Sequence, residues 1–211
     1  MFEIEYKGAN SVVISTKKTS VVTDPKLSLV GLKDVPVKDS IEIATEARFA
    51  LNSENAKLRI EGPGEYGFGE FDVTGIEAQR HLDTENDELL STMYRIEVGD
   101  VRIGLVGNIY EKLSDDQLER LGVLDILIIP VGGNGYTLDG TGAATIARQI
   151  DPKVVIPVHY ADSALKYEVP QDTLEVFVKE LGAPLEAVPK LKVKSAASLP
   201  SSLTIIQVAR S

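Results

Sequence analysis

The sequence predicts an α/β fold in which two β-sheets are sandwiched between helices. Three observations carry this. The N-terminal half reads as short strands joined by turns, and the C-terminal half alternates helix signals with strands. Two of the later strands, Leu124–Val131 and Val154–Val158, are apolar without a break, the pattern of a strand covered on both faces.

Each element has its own signal. Phe2–Tyr6 alternates apolar and polar with period 2, and Ser11–Ser15 and Ser20–Thr23 are β-branched. After Asp24-Pro25 a polar, uneven connection leads to a weak strand at Ile41–Ala44. Lys57–Ile60, Phe71–Ala78, Ser91–Val98 and Val101–Val106 complete the β-rich part, with Val98-Gly99-Asp100-Val101 as a hairpin turn. Glu61–Tyr66 (EGPGEY) reads as a turn. Ser114 and Gln117 have capping-box spacing and open a helix that runs through Leu121 to Gly122. A Gly-rich loop follows Leu124–Val131, then a helix near Asp139–Ile150 that ends before Asp151-Pro152. Pro170–Leu181 reads as an amphipathic helix with Leu174, Phe177, Val178 and Leu181 on one stripe, and Ser202–Ala209 as the last strand.

The 211 residues suit one domain over 1–211 with a large core, since no linker divides them. With no Cys and two His, disulfides, thiolate metal sites and thiol nucleophiles are excluded, and a metal site would need oxygen ligands to complete it. Lys+Arg 22 against Asp+Glu 32 gives a net charge of −10, which disfavours nucleic-acid and anionic-membrane partners. The N-terminus lacks a signal-peptide pattern, and no apolar run approaches the ~20 residues that span a bilayer. A cytoplasmic location without membrane association is the expectation.

Polar residues gather where apolar strands end: Asp24, Asn108, Gly132-Gly133-Asn134 and His159. Strand ends of α/β sheets form the crevice that binds ligands. The same residue types also serve ordinary strand-to-loop turns, and on periodicity alone both readings stand. His159 is delivered to a rim by a buried strand, which makes it a stronger candidate than His81 for ligand or base chemistry. Gly132–Tyr136 precedes a helix but lacks the Lys of a P-loop, so a tight turn with positive φ is its expected role. Glu65 and Tyr66 could face a site, whereas Asp115/Asp116 and Asp83/Asp87 read as helix-start and solvated charges.

Together these segments resemble the metallo-β-lactamase superfamily, in particular its small metal-dependent hydrolases similar to ascorbate-6-phosphate lactonases. The residues that carry the resemblance are Val21–Pro25 (VVTDP), Gly62–Tyr66 (GPGEY), Leu105–Asn108 (LVGN), Leu127–Gly133 (LIIPVGG), Tyr136–Asp139 (YTLD) and Val155–Tyr160 (VIPVHY). The resemblance implies a four-layer αββα sandwich of two mixed β-sheets flanked by helices, with a site at the edge between the sheets. It also implies a His-x-His-x-Asp-His motif, a later His, a bridging Asp and a final His. In that order the motif positions fall on Thr45, Ala47, Phe49 and Ala50, none of which is a zinc ligand of the expected kind. His81 and His159 match the later and final His, Asn108 stands at the bridging Asp, and Asp24 matches an Asp beside the site.

The expectation is a degenerate site on a hydrolase-like fold, a pseudoenzyme that acts as a ligand-binding or interaction module with no resident metal or other cofactor. Ligand contacts are expected from Glu65, Gly133, Asn134, Tyr136 and Tyr160, around Asp24, His81, Asn108 and His159. The alternative is a lactone or phosphodiester hydrolase with a rebuilt mononuclear Zn or Mn site at His81, His159 and Asp24. A nucleic-acid-processing role comes third. A small molecule in the crevice is the expected partner, and a homodimer is compatible with the sequence.

Overall fold

The computed structural model describes residues 1–82 and 89–211, so the Asp83/Asp87 pair lies outside the described residues. The N-terminal part gives β1 (Phe2–Gly8), β2 (Ser11–Ser15), β3 (Ser20–Thr23), β4 (Ile41–Ile43) and β5 (Leu58–Ile60). Then come β6 (Gly64–Phe68), β7 (Phe71–Ala78), β8 (Ser91–Val98) and β9 (Val101–Leu105). The later part interleaves α1 (Asp115–Leu121), β10 (Ile126–Pro130), α2 (Gly140–Ile150), β11 (Val154–Val158) and α3 (Leu174–Leu181). It closes with β12 (Leu185–Val188), β13 (Leu191–Val193) and β14 (Thr204–Val208).

The strands form two mixed sheets, one of six in the order β13-β1-β2-β3-β4-β5 and one of eight in the order β12-β14-β11-β10-β9-β8-β7-β6. Parallel pairs run from β3 to β5 and from β9 through β10, β11 and β14 to β12, and the other pairs are antiparallel. The expected sandwich of sheets and helices is present. One apolar layer lies between the sheets, with Phe2, Ile4 and Tyr6 of β1 meeting Ile126, Ile128, Val154 and Ile156. The second lies between the eight-stranded sheet and the helices, with Leu127, Ile129 and Val155 against Ile146, Leu174 and Phe177. β10 and β11 therefore carry apolar residues on both faces, and each of their residues is buried.

Outside the six-stranded sheet the covering layer is built differently. Segment 25–40 crosses the outward faces of β1–β3, so that Leu27, Leu32 and Val35 lie opposite Glu5, Val13 and Val22. This layer carries short 3-10 turns at Leu27–Val30 and Ala47–Phe49. A buried carboxylate clasps it: Glu42 on β4 accepts hydrogen bonds from the amides of Leu51 (2.6 Å), Asn52 (2.9 Å) and Ser53 (2.9 Å).

The elements expected from the sequence form, with shifted ends. The Ser114 capping box is present, its hydroxyl accepting from the Gln117 amide at 3.2 Å while Gln117 Oε1 accepts from the Ser114 amide at 2.9 Å. Glu61–Tyr66 is not wholly a turn, because Gly64–Phe68 pairs residue by residue with β7 as an edge strand. The helix expected from Pro170 begins at Leu174, since Asp172 donates its amide to Gly132 O (2.7 Å) and accepts from the Ala161 amide (2.9 Å). Those two bonds hold 171–172 as connecting chain. No helix among the described residues is long and apolar enough to cross a membrane.

Candidate functional site

Asp24 follows β3, Thr45 follows β4, Gly107-Asn108 follows β9, Gly132 follows β10 and His159 follows β11, and of these Asp24 and His159 line one cleft. The cleft opens to solvent, with about 630 Å³ of free space that includes its mouth, and its lining includes Asn10, Asp24, Arg48, Phe49, Tyr136 and His159. Three of its residues have left-handed backbone, Ala9 at φ 45°, Asp24 at φ 43° and His159 at φ 52°. Non-glycine residues keep such angles only where neighbours over-determine them. Here the Asp24 amide donates to Ile43 O (2.8 Å) and the His159 amide to Ala9 O (2.9 Å).

Asp24 is buried, and Thr45 occupies both its oxygens: Oδ1 accepts from the Thr45 amide and Oδ2 from its hydroxyl, each at 2.7 Å. Burial pushes the carboxyl up to about 7, against the opposing pull of these bonds. Thr45 in turn accepts, on its carbonyl, the Thr92 amide (2.8 Å) and the Ser91 hydroxyl (3.2 Å) from β8. Asp24 thus reaches across to the opposite sheet through a single threonine. Gly107 makes room for this: its φ is 64°, and a Cβ there would stand 2.8 Å from Thr45 Cβ.

His159 is buried, and its ring lies between Tyr136 (centroids 5.6 Å apart, planes at 17°) and Tyr167 (4.7 Å, 39°). Its Nδ1 lies 3.0 Å from Gln171 Oε1. Gln171 Nε2 donates to Val169 O at 3.0 Å, which turns Oε1 toward the imidazole. Nδ1 therefore carries the proton, and Nε2 holds the lone pair. Burial lowers the imidazole to about 4, so His159 is neutral at pH 7.

Arg48 supplies the charge. Its guanidinium lies over Phe49 (4.6 Å to the ring centre) and Tyr136 (5.2 Å). Behind it, Nε is 2.8 Å from Glu46 Oε2 and Nη2 donates to Oε1 at 3.2 Å, while Arg80 Nη1 lies 3.7 Å from the same carboxylate.

Of the residues expected at a site, Asp24, Phe49, Tyr136 and His159 line this cleft. Asn108 is tied to it: its Oδ1 accepts from Asn10 Nδ2 and from the Thr137 hydroxyl, both at 2.8 Å. His81 is outside the lining, with its amide on Asn108 O (3.0 Å) and Nδ1 3.3 Å from Ile109 O. Gly133 and Asn134 form the expected tight turn, at φ 68° and 57°, and Asn134 is exposed. Glu65 stands on edge strand β6 away from the cleft, and Tyr160 packs on Tyr6 with ring centres 6.0 Å apart. Thr45 and Ala50 are buried, and Ala47 is exposed. Sequence reasoning missed Asn10, Arg48, Tyr167 and Gln171. Arg48 alone carried a signal, as a basic residue between two of the motif positions.

Among the described residues, no group of three or more His, Asp or Glu stands together in a way that could hold a metal ion.

Residues 3–159 match the family model of the beta-lactamase superfamily domain. Nothing among the curated proteins matches the chain. Among solved structures, a proposed Zn-dependent hydrolase of the metallo-beta-lactamase superfamily from Thermotoga maritima superposes with a TM-score of 0.78 at 20% identity, over 99% of this chain and 100% of that one. A metallo hydrolase from the archaeon Ignicoccus hospitalis gives 0.67 at 14% identity, over 99% and 95%. A proposed metal-dependent hydrolase from Parabacteroides distasonis gives 0.65 at 16%, over 85% and 88%. At these identities the likeness is one of fold.

Proposed function

The chain belongs to the beta-lactamase superfamily, and on that premise we propose that it is a metal-free member, a binding module that takes a small molecule in the cleft between its sheets. The observation that carries this reading is Arg48, a fixed cation in the lining, within the segment where the metal-binding motif would fall.

The other donors argue the same way. Catalytic zinc takes three protein ligands and leaves one position open for water. His159 Nε2 is available, but both oxygens of Asp24 are engaged by Thr45. Asn108 Oδ1 already accepts two hydrogen bonds, and His81 is outside the lining. This donor set does not fit a catalytic metal. The imidazole, at about 4, is a weak base at pH 7. Binding is the chemistry left to the cleft. The same reading takes residues 1–211 as one domain acting in the cytoplasm.

The test is elemental analysis of protein expressed with zinc, manganese and iron present and purified without chelator. Far less than one metal per chain is expected, and stoichiometric metal would overturn the reading. The hydrolase alternative draws on the described activities of the structural neighbours. It predicts turnover of a lactone or phosphodiester with added Zn²⁺ or Mn²⁺, abolished in His159→Ala.

A further inference from the structure

Resting on the metal-free reading above, we infer that the cleft is a binding site for a small planar monocarboxylate, its charged end at Arg48 and Lys26 and its flat body against Tyr136 and Phe49.

The charge argument concerns what an incoming molecule meets. The Arg48 side chain is 32% exposed, whereas the Glu46 carboxylate that balances it is 3% exposed and outside the lining. The cation faces the cleft and its counterion lies behind. Lys26, two residues from Asp24, is a second cationic residue of the lining. Asp24 also faces the cleft, but its oxygens are turned onto Thr45. Glu168 is the remaining charged group of the lining. Two cations set against Glu168 and a masked carboxyl favour one negative charge on the ligand over two.

The shape argument follows from the rings. Phe49, the Arg48 guanidinium, Tyr136, His159 and Tyr167 form a continuous series of flat groups, each lying against the next. Leu27, Leu29 and Val30 supply the facing apolar surface. A flat apolar body buries area on such walls and loses little conformational freedom, and a carboxylate pairs with guanidinium in its own plane.

Two acceptors belong to buried residues of the lining. Asn10, also in the lining and 3% exposed, keeps Oδ1 buried with no hydrogen-bond partner among the described residues. His159 Nε2 holds its lone pair because Nδ1 donates to Gln171. A buried acceptor without a partner is costly, and a hydroxyl or N–H on the ligand would relieve it. The inferred ligand is therefore a planar carboxylic acid with a distal donor.

The probe is 6-hydroxy-2-naphthoate, followed by calorimetry and by the NMR signals of the two histidine rings, with its neutral carboxamide and inorganic phosphate alongside. Saturable binding is expected, with a shift at His159, and the carboxamide should bind at least roughly tenfold more weakly. Replacing the ion pair together, Glu46→Gln with Arg48→Met, should weaken the carboxylate by about the same factor, so that acid and carboxamide then bind with similar affinity. Equal affinity for acid and amide, the lack of a saturable shift at His159, or displacement by phosphate at comparable concentration would each overturn the assignment. Any of these leaves the metal-free reading standing. Stoichiometric metal in the same preparation removes that reading itself.

Discussion

Asp24 and Thr45 are joined twice: the threonine amide and the threonine hydroxyl each donate to a different oxygen of the one carboxylate, at 2.7 Å. The pair holds the ends of β3 and β4 together and, through the Thr45 carbonyl, fastens them to the start of β8. Thr45 serves here as a structural joint between the two sheets.

That joint gives the fold a pH dependence. The Asp24 carboxyl ordinarily titrates near 3.8, and burial moves it to about 7. A raised folded-state value means that its contribution is fully present below 3.8 and lost as pH rises through 7, a change on the order of 4 kcal/mol. Asp24→Asn keeps an acceptor for the Thr45 amide and has no charge to bury. Its stability deficit against the parent, read from urea midpoints, should be largest at pH 5 and should shrink or reverse by pH 8.

His159 titrates in the opposite sense. Its imidazole is held near 4, below the usual 6.5, so its contribution is present above 6.5 and lost as pH falls through 4. With two histidines in the chain, the ring signals can be assigned by one substitution. The His159 resonance should keep its neutral position down to about pH 5. Gln171→Ala removes the acceptor of Nδ1–H and should cost about 1 to 2 kcal/mol, with exchange between the two neutral tautomers visible in ¹⁵N spectra.

Glu42 is the second buried carboxylate with a structural role. Glu42→Ala leaves the amides of Leu51, Asn52 and Ser53 without their acceptor and should cost about 3 kcal/mol. Glu42→Gln, which offers one oxygen in place of two, should cost less. Hydrogen exchange should accelerate first at residues 51–53, before any change in β10 or β11.

Gly107→Ala should destabilise the chain by about 2 kcal/mol or more, because an alanine at φ 64° is strained and its methyl meets Thr45 Cβ at 2.8 Å. Pairing it with Thr45→Ser removes the Thr45 Cγ2 that the new methyl meets at 3.0 Å, keeps the hydroxyl on Asp24 and leaves the contact with Cβ, and so should recover a minor part of the loss in chemical denaturation.

The scaffold was legible where the signal is local. Alternation in β1, the unbroken apolar runs of β10 and β11, and the Ser114–Gln117 cap each follow from a few neighbouring residues. β6 was hidden by Gly62-Pro63-Gly64, turn residues that lead directly into a strand. β12 and β13 are edge strands of four and three residues, too short for a period to show. The site divides in the same way. Asp24, Tyr136 and His159 follow apolar strands and stand out from their neighbours. Gln171 and Tyr167 reach the cleft because Asp172 bonds to Gly132, a contact between segments about forty residues apart that no local pattern announces. Asn10 looks like any turn asparagine until its amide is found against Asn108.

The layer outside the six-stranded sheet has consequences for how this chain changes over time. Arg48, Phe49, Lys26 and the leucines of the cleft all belong to a segment of 3-10 turns and connecting chain that lies over the first strands, held by Glu42 and by the joint at Asp24. The helices α1–α3 pack on the other sheet. The stretches on either side of β4, about 25–40 and 47–57, can accept substitutions at their cleft-facing positions while the two sheets and the helical layer keep their core. The walls of the cleft are thus set by a replaceable covering, and drift in that covering is enough to change the cleft's charge and shape on an unchanged frame.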